Sequence, residues 1–432
     1  MQGRPGNAEV AGLGTPELLD ARRPEAWLRR FARTTPGVIG AIAVVVASTC
    51  LVAGVVCGAQ LDARIATSRA VLDRSEPLAY SAQKLYAALS AADSSAATAF
   101  LSAGIETTQM RARYRQAIAD AASALADTTA GATDRNTRTA LAQLSEQLAY
   151  YTGLVESADA NNRQKFVVGS SYFREASWLM RTVMLPGAKK VYDDNLAALD
   201  EDQRAVGSTP LAALMLVGIA IVAIGFGSVI LVGRTNRQFN LGLVIAAAVM
   251  VLVLMWTGVA TWLAATRIEQ SRSAGTATLA RLGNARIVAE KARTDETLEL
   301  ISRTDIAPGE TTFTGHLQEL SALLEPGPVV AANAVTEWAA AHRRQVAAYT
   351  SGDYLGAVEQ AIGDQPDGSA QRFALVESSL GNEIEGTRTV LRERVTAAGA
   401  SLAWSPTGTL ALSVVAAVTA GAGLWPRLKE FL

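Results

Sequence analysis

Residues 240–264 read NLGLVIAAAVMVLVLMWTGVATWLA, an apolar run without a single ionisable side chain. A helix that crosses the hydrocarbon core of a bilayer needs about 20 such residues. Three further runs have the same character, because no Asp, Glu, Lys, Arg or His occurs in 34–61, 205–233 or 395–426. The sequence therefore predicts four transmembrane helices, at 37–59, 210–233, 240–264 and 405–425.

The composition of the whole chain agrees with these spans. It has 432 residues, of which 50% are apolar and 18% are charged, with 39 basic against 40 acidic side chains. Soluble domains carry about 25% charged residues, so a soluble globular enzyme is excluded for the whole chain. The apolar content also excludes a disordered chain. The charge balance does not fit a nucleic-acid partner, and the expected partner is the lipid bilayer.

Basic residues flank the spans on one side. Arginines precede the first span within 22–33, Arg234 and Arg237 lie between the second and third spans, and Arg427 follows the fourth. An excess of Lys and Arg marks the cytoplasmic side of a membrane. Segments 62–204 and 267–394 have 16 bases against 17 acids and 13 against 18. We therefore expect a multi-pass protein of the cell membrane with both termini in the cytoplasm.

The predicted organisation has nine parts in chain order. They are a cytoplasmic tail (1–36), a span (37–59), an extracytoplasmic bundle (60–209), a span (210–233), a cytoplasmic turn (234–239), a span (240–264), a second bundle (265–404), a span (405–425) and a cytoplasmic tail (426–432).

The first span has one alternative interpretation, a signal peptide cleaved after Cys57-Gly58-Ala59. Its apolar core is longer than the usual ~7–15 residues, and the 36 residues before it are too many for an n-region. A retained anchor is therefore favoured.

Cys50 and Cys57 are the only cysteines. Because both lie in this span, the two long polar segments are expected to fold without disulfides.

Both long segments have the pattern of helical bundles. In the third predicted helix the apolar positions recur with 3-4 spacing, a heptad seam typical of bundles and coiled coils; they are Leu141, Leu144, Leu148, Tyr151, Val155 and Ala158. Pro186 is expected to kink or break the fourth helix.

The predicted fold class is an all-α membrane protein, with four transmembrane helices and two extracytoplasmic helical-bundle domains. The predicted helices are 60–102, 106–129, 133–164 and 170–204 in the first segment, and 264–304, 310–325, 328–351, 353–363 and 369–403 in the second.

Signatures of catalysis are scarce. His316 and His342 are the only histidines, and His342 lies on an apolar stripe where a buried, hydrogen-bonded histidine is the expected role. A metal ligand would need partner residues that the sequence does not place nearby. A phosphate-binding glycine loop is also missing. We expect a protein that is not an enzyme and that has no cofactor and no metal.

The richest polar stretch runs from 156 to 181 and contains the candidate docking residues for a ligand or partner. The alternative is a solvated helix end held by Arg–Glu pairs. Tyr151 of the heptad seam is a further candidate. The full set of candidates is Tyr151, Asn161, Asn162, Arg163, Tyr172, Arg174 and Arg181.

A second set of candidates would dock a cytoplasmic partner. The N-terminal part of this set has an alternative role as an interfacial segment with Trp27 and Phe31 at the headgroups. These candidates are Arg22, Arg23, Arg29, Arg30, Arg234 and Arg237.

Small-residue pairs in the spans, such as Gly54 with Gly58, indicate close packing within the chain's own spans or, alternatively, a homodimer.

Several stretches of the chain resemble the GlnX-type four-span membrane proteins of actinobacteria. They are TTPG (34–37), YTGLVE (151–156), ANNRQ (160–164), REAS (174–177), LMR (179–181), Leu185-Pro186, DETLELI (295–301) and GDYLGAV (352–358). The resemblance implies an amino-acid sensing pathway. In it, a glutamine-binding-type lipoprotein outside and a serine/threonine protein kinase of the G type inside are the partners, and nitrogen metabolism is the output.

The functional hypothesis is therefore a transmembrane signal relay. It would couple an extracytoplasmic amino-acid-binding protein to a cytoplasmic serine/threonine kinase. The alternatives are an envelope scaffold protein and a direct small-molecule sensor with a helical-bundle outer domain.

Overall fold

The computed structural model describes residues 35–102, 108–235, 240–302 and 306–429, which fold into α-helices without a β-strand in those ranges. The chain divides into two compact units. We call the first, made of the described residues within 1–60, 210–258 and 405–432, the span unit. We call the second, made of 61–209 and 259–404, the bundle unit.

The helices of the first half are α1 Thr35–Ala70, α2 Glu76–Leu101, α3 Thr108–Gly131, α4 Arg135–Arg163, α5 Val168–Leu179, α6 Leu185–Gly207 and α7 Leu211–Thr235. Those of the second half are α8 Leu241–Ser271, α9 Ala277–Ser302, α10 Ala307–Leu324, α11 Val329–Thr350, α12 Tyr354–Ile362, α13 Ser369–Leu402 and α14 Ser405–Lys429. Short π-helical segments join α1 to α2, α5 to α6 and α8 to α9, at Val71–Ser75, Met180–Met184 and Arg272–Thr276.

Four helices of the described chain are long and apolar enough, by length and composition, to cross a membrane. They overlap the four predicted spans, whose bounds stay a prediction. Small residues let the spans approach closely. A Cβ added at Gly423 would lie 2.6 Å from the Cα of Gly242, and one added at Gly227 would lie 2.8 Å from Ile42. These glycines therefore serve packing within the chain, which is one of the two alternatives that the sequence left open.

The first half of the bundle unit has its own apolar core. The heptad seam of α4 is buried throughout and packs with aromatic and methionine side chains of the neighbouring helices, including Tyr86, Phe173 and Met184. The seam prediction is therefore confirmed. The second half has a core around the fully buried Trp338, whose ring lies 5.3 Å from Phe313.

The two halves pack into one unit, so the prediction of two separate bundle domains is not confirmed. Ile287 of the second half belongs to the core of the first, and Tyr80 of the first packs against the core of the second. The physical reason is visible in α2, of whose 26 residues 16 are buried. One face of a helix cannot account for so many. Because many of these residues are Ala or Ser, neighbouring helices pack closely on several sides.

Two prolines of the bundle unit lie in the first turn of a helix. Ala307-Pro308-Gly309, which directly precedes the predicted helix 310–325, is the first turn of α10, where proline costs little because the first amide groups have no intrahelical partner. Pro186 likewise lies in the first turn of α6, directly after the π-helical segment Met180–Met184. The chain therefore stays helical through 168–207, and the expected break is a π-helical insertion.

Candidate functional site

The end of α4 forms the centre of the candidate docking region. Lys165 adopts φ of 60°, the left-handed conformation that usually falls to glycine. Its amide N–H donates to Asn162 O across 2.9 Å, and the amide N–H of Phe166 donates to Asn161 O across 2.9 Å. These two bonds are the Schellman arrangement that ends a helix. They direct the chain sharply from α4 into α5.

The residues after this turn expose apolar side chains, which we call the tip patch: Phe166, Val167, Val168 and Tyr172. Their exposed fractions are 57%, 87%, 47% and 39%. Single exposed apolar residues are common, but a contiguous group with polar neighbours is typical of a protein-binding surface. The predicted docking residue Tyr172 therefore lies on such a surface.

The polar candidates beside the tip patch have different roles. Asn162 donates its side-chain N–H to Phe100 O across 3.1 Å, and Asn161 donates to Ser157 O across 2.8 Å. Asn162 therefore ties the end of α4 to α2, whereas the bond of Asn161 stays within α4. Arg163 pairs with Asp159 across 3.2 Å, and Arg174 donates to Ser171 across 3.3 Å. Because both arginines are exposed, their charge is available to a partner.

Tyr151 lies elsewhere, in the core of the bundle unit. It is fully buried, and its hydroxyl donates to Asp93 Oδ1 across 3.2 Å. Ser177 donates to Asp93 Oδ2 across 3.0 Å. Burial raises the pKa of Asp93 to about 6, although both hydrogen bonds and Arg181 oppose the rise. Tyr151 is thus a partner of a buried carboxylate, and the structure does not place it on the docking surface.

Arg181 lines a small basic cavity of about 310 Å³, together with Lys189, Lys291, Asp295 and His316. It donates to Asp295 Oδ1 across 2.7 Å, and His316 Nδ1 lies 3.2 Å from Asp295 Oδ2. Basic side chains outnumber the single acid in this group. The cavity therefore favours an anionic group, and the docking role predicted for Arg181 stays a prediction.

A second buried carboxylate, Glu296, organises the other half. Its Oε1 accepts from His342 Nδ1 across 2.9 Å, and its Oε2 accepts from Arg293 across 2.5 Å. Ser369 also donates to Glu296 Oε1. His342 Nε2 lies 2.7 Å from Glu310 Oε1. Both ring nitrogens therefore face carboxylate oxygens, an arrangement that suits the doubly protonated imidazolium.

The charged forms of Glu296, Arg293 and His342 stabilise one another. Burial would raise the pKa of Glu296, but Arg293 and the bond from His342 outweigh burial and lower it well below its ordinary value. Burial would lower the pKa of His342, but its bonds to Glu296 and Glu310 raise it. His342 is therefore the buried, hydrogen-bonded histidine that the sequence predicted.

Sequence reasoning did not single out Asp93 or Glu296. Asp93 carries the only charge between residues 85 and 105, in a stretch of Ala, Ser and Leu. A lone charge in a stretch of small residues was the signal for a buried carboxylate. Glu296 gave less indication, because the acidic residues around it make it resemble part of a solvated face.

The predicted cytoplasmic docking residues lie outside the part of the chain that the structure describes. This holds for Arg22, Arg23, Arg29, Arg30 and Arg237, and for the side chain of Arg234. Their role stays a prediction.

Comparison with known proteins identifies one region. Residues 67–204 match the family model of an actinobacterial sensor domain. The match runs from the end of α1 to α6 and includes the tip patch. No curated protein and no solved structure matches the chain. Together with the four apolar helices, the match indicates a multi-pass membrane protein with a sensing or signalling role.

Proposed function

We propose that this protein is a non-enzymatic transmembrane signal relay. An extracytoplasmic solute-binding lipoprotein that recognises amino acids docks on the bundle unit, and a cytoplasmic serine/threonine protein kinase receives the signal. The resemblance to GlnX-type proteins names these two partners. The match to a sensor domain supports the signalling role.

The tip patch is the observation that carries the proposal. Val167 is 87% exposed and stands beside three further exposed apolar side chains. The arginines nearby, Arg163 and Arg174, add charge at the rim of the patch. An apolar centre with a charged rim is the usual anatomy of a transient protein interface. The patch is therefore our candidate contact for the lipoprotein.

Helix connectivity supports the transfer of the signal. The single helix α1 supplies residues to both the span unit and the bundle unit, and so does α8. Small shifts of packed helices are a known way in which a bound state is passed along a protein. A change in the packing of α2 and α9 would act on α1 and α8 through the π-helical segments that join them.

The test is affinity capture of the tagged full-length chain from mildly solubilised membranes, with and without external glutamate. We expect an amino-acid-binding lipoprotein and a soluble serine/threonine kinase to co-purify. Val167→Asp in the tip patch should lose the lipoprotein. Leu355→Asp is the matched control, because Leu355 is 79% exposed but lies in α12. It should keep the lipoprotein.

The cytoplasmic side is tested by replacing Arg234 and Arg237 together with alanine. This variant should lose the kinase and keep the lipoprotein. If the intact chain captures neither partner, the relay is wrong. If association is the same with and without glutamate, an envelope scaffold replaces the relay as the favoured function.

A further inference from the structure

The bundle unit contains a cavity of about 880 Å³ among α2, α3, α9 and α13. Apart from Lys84, its wall on α2 consists of small side chains, including Ala87, Ala91 and Ser94, which leave the space open. A volume of this size lies within the range of small-molecule sites. We call this space the Glu290 cavity.

Glu290 of α9 lines this cavity, and its carboxyl group is unusual because it is buried without a hydrogen-bond partner among the described residues. Its side chain is 1% exposed, and neither carboxyl oxygen has a hydrogen-bond partner among the described residues. Buried polar groups in folded proteins are almost always hydrogen-bonded, because an unpaired buried group costs about 1–3 kcal/mol. Two unpaired oxygens on one buried carboxyl therefore indicate a missing partner.

The two arginines of α9 nearest to Glu290 in the chain donate to other acceptors. Arg293 donates to Glu296 across 2.5 Å and to Ala361 O across 2.7 Å. Arg286, one turn before Glu290, donates Nη2 to Glu377 Oε1 across 2.6 Å. The Nε–H of Arg286 has no acceptor among the described residues, although it is buried. The cavity wall thus holds two acceptor oxygens and one donor without protein partners.

We propose that the Glu290 cavity binds a small molecule through a primary ammonium group, which donates to the Glu290 carboxylate. An acceptor oxygen on the same molecule would take the Nε–H of Arg286. An ammonium group offers three donors and a positive charge, which satisfies both oxygens of Glu290. The inference goes beyond the proposed relay, because this binding needs no partner protein.

The charged and titratable groups around Glu290 set how binding depends on protons. Burial raises the pKa of Glu290 to about 8; Glu377 of α13 adds to the rise, and Arg286 and Arg293 of α9 oppose it. Tyr86 of α2 also faces it. The empty site therefore carries a proton on Glu290 at neutral pH. Because an ammonium ligand favours the carboxylate, its binding should release that proton.

The experiment is titration calorimetry of the purified full-length chain in lipid nanodiscs near neutral pH. The probes are putrescine, which has ammonium groups only, L-glutamine, which adds a carboxylate, and succinate, which has no ammonium. We expect at least one ammonium probe to bind and succinate not to bind. Two buffers with different ionisation enthalpies should give different apparent heats, because a proton is released.

Variants separate the ammonium contact from the acceptor contact. Glu290→Gln should weaken the ammonium probes roughly tenfold or more, since a hydrogen bond to a charged group is lost. Glu319→Gln, an exposed carboxyl on α10, is the control and should bind as the unmodified chain does. Arg286→Lys should weaken L-glutamine and leave putrescine unchanged, because only L-glutamine has acceptor oxygens for the Nε–H of Arg286. An equal effect on both probes would contradict the acceptor contact.

Glu290→Gln should fold, because the amide has the shape of the protonated carboxyl. If its melting temperature falls, Glu290→Asp is the second variant, and it should weaken binding while proton release persists. The inference is overturned if neither ammonium probe binds the unmodified chain or if Glu290→Gln binds them unchanged. The relay would survive that result, since it is tested by partner capture.

Discussion

Arg388 donates its Nε–H to Glu76 Oε1 across 2.6 Å, although 312 residues separate the two in the chain. Arg392, one turn later, donates to Glu76 Oε2 across 2.7 Å. Glu76 is fully buried at the start of α2, and both arginines belong to α13. One carboxylate with two guanidinium partners therefore joins the two halves of the bundle unit.

Arg388→Ala should destabilise the bundle unit by on the order of 2 kcal/mol, since a buried carboxylate loses a charged hydrogen bond. The variant also removes a guanidinium that lies 3.4 Å from the centre of the Tyr80 ring. Urea unfolding of the full-length chain, followed by circular dichroism, measures the loss. Arg343→Ala, at an exposed position of α11, should change stability little. Equal losses in both variants would contradict the role of the Glu76 contacts.

His342→Leu should destabilise the bundle unit by on the order of 3 kcal/mol near neutral pH, because it leaves Glu296 with less compensating charge in the core. The pKa of His342 is raised above its ordinary 6.5. Its contribution to stability is therefore full below about pH 6.5 and is lost as the pH rises through about 9. Urea unfolding at several pH values should show the two chains converging on the alkaline side. A difference that stays constant with pH would contradict the imidazolium assignment.

Asp93→Asn should remove one source of pH dependence. Burial raises the pKa of Asp93 from 3.8 to about 6, so the folded state binds this proton more tightly than the unfolded state. The contribution of Asp93 to stability should therefore be lost as the pH rises from about 4 to about 6. Across that pH interval, the free energy of unfolding of the variant should rise by on the order of 3 kcal/mol relative to that of the unmodified chain. Asp127→Asn, at an exposed position of α3, is the control and should keep the original slope.

Gly423→Val should disturb the packing of α14 on α8. The added side chain would meet backbone atoms of Gly242, which cannot move aside as a flexible side chain would. Gly421, two residues earlier, has nothing within 4 Å of its would-be Cβ. We expect Gly423→Val to lower the melting temperature of the detergent-solubilised chain and Gly421→Val to leave it nearly unchanged. The same loss in both variants would show that helix propensity, and not close approach, is responsible.

Part of the candidate site followed from the sequence. The sequence predicts one helix over 133–164 and the next over 170–204, and the tip patch lies where these two predicted helices meet. The seam of α4 was equally clear, because a helix that buries one face repeats its apolar residues at 3-4 spacing. The role of Tyr151 was not predictable, since its partner Asp93 lies on a different helix, 58 residues away.

The sequence alone determined the four spans and the helical class of the polar segments. Both are local properties, because span length and heptad spacing are set by residues close together along one helix. Only the tertiary structure decided that the two polar segments share one unit, and which side chains face Asp93, Glu296 and Glu290. Those contacts join residues that are far apart in sequence. They depend on how Ala- and Ser-rich helices pack on several sides at once, which periodicity along a single helix does not encode.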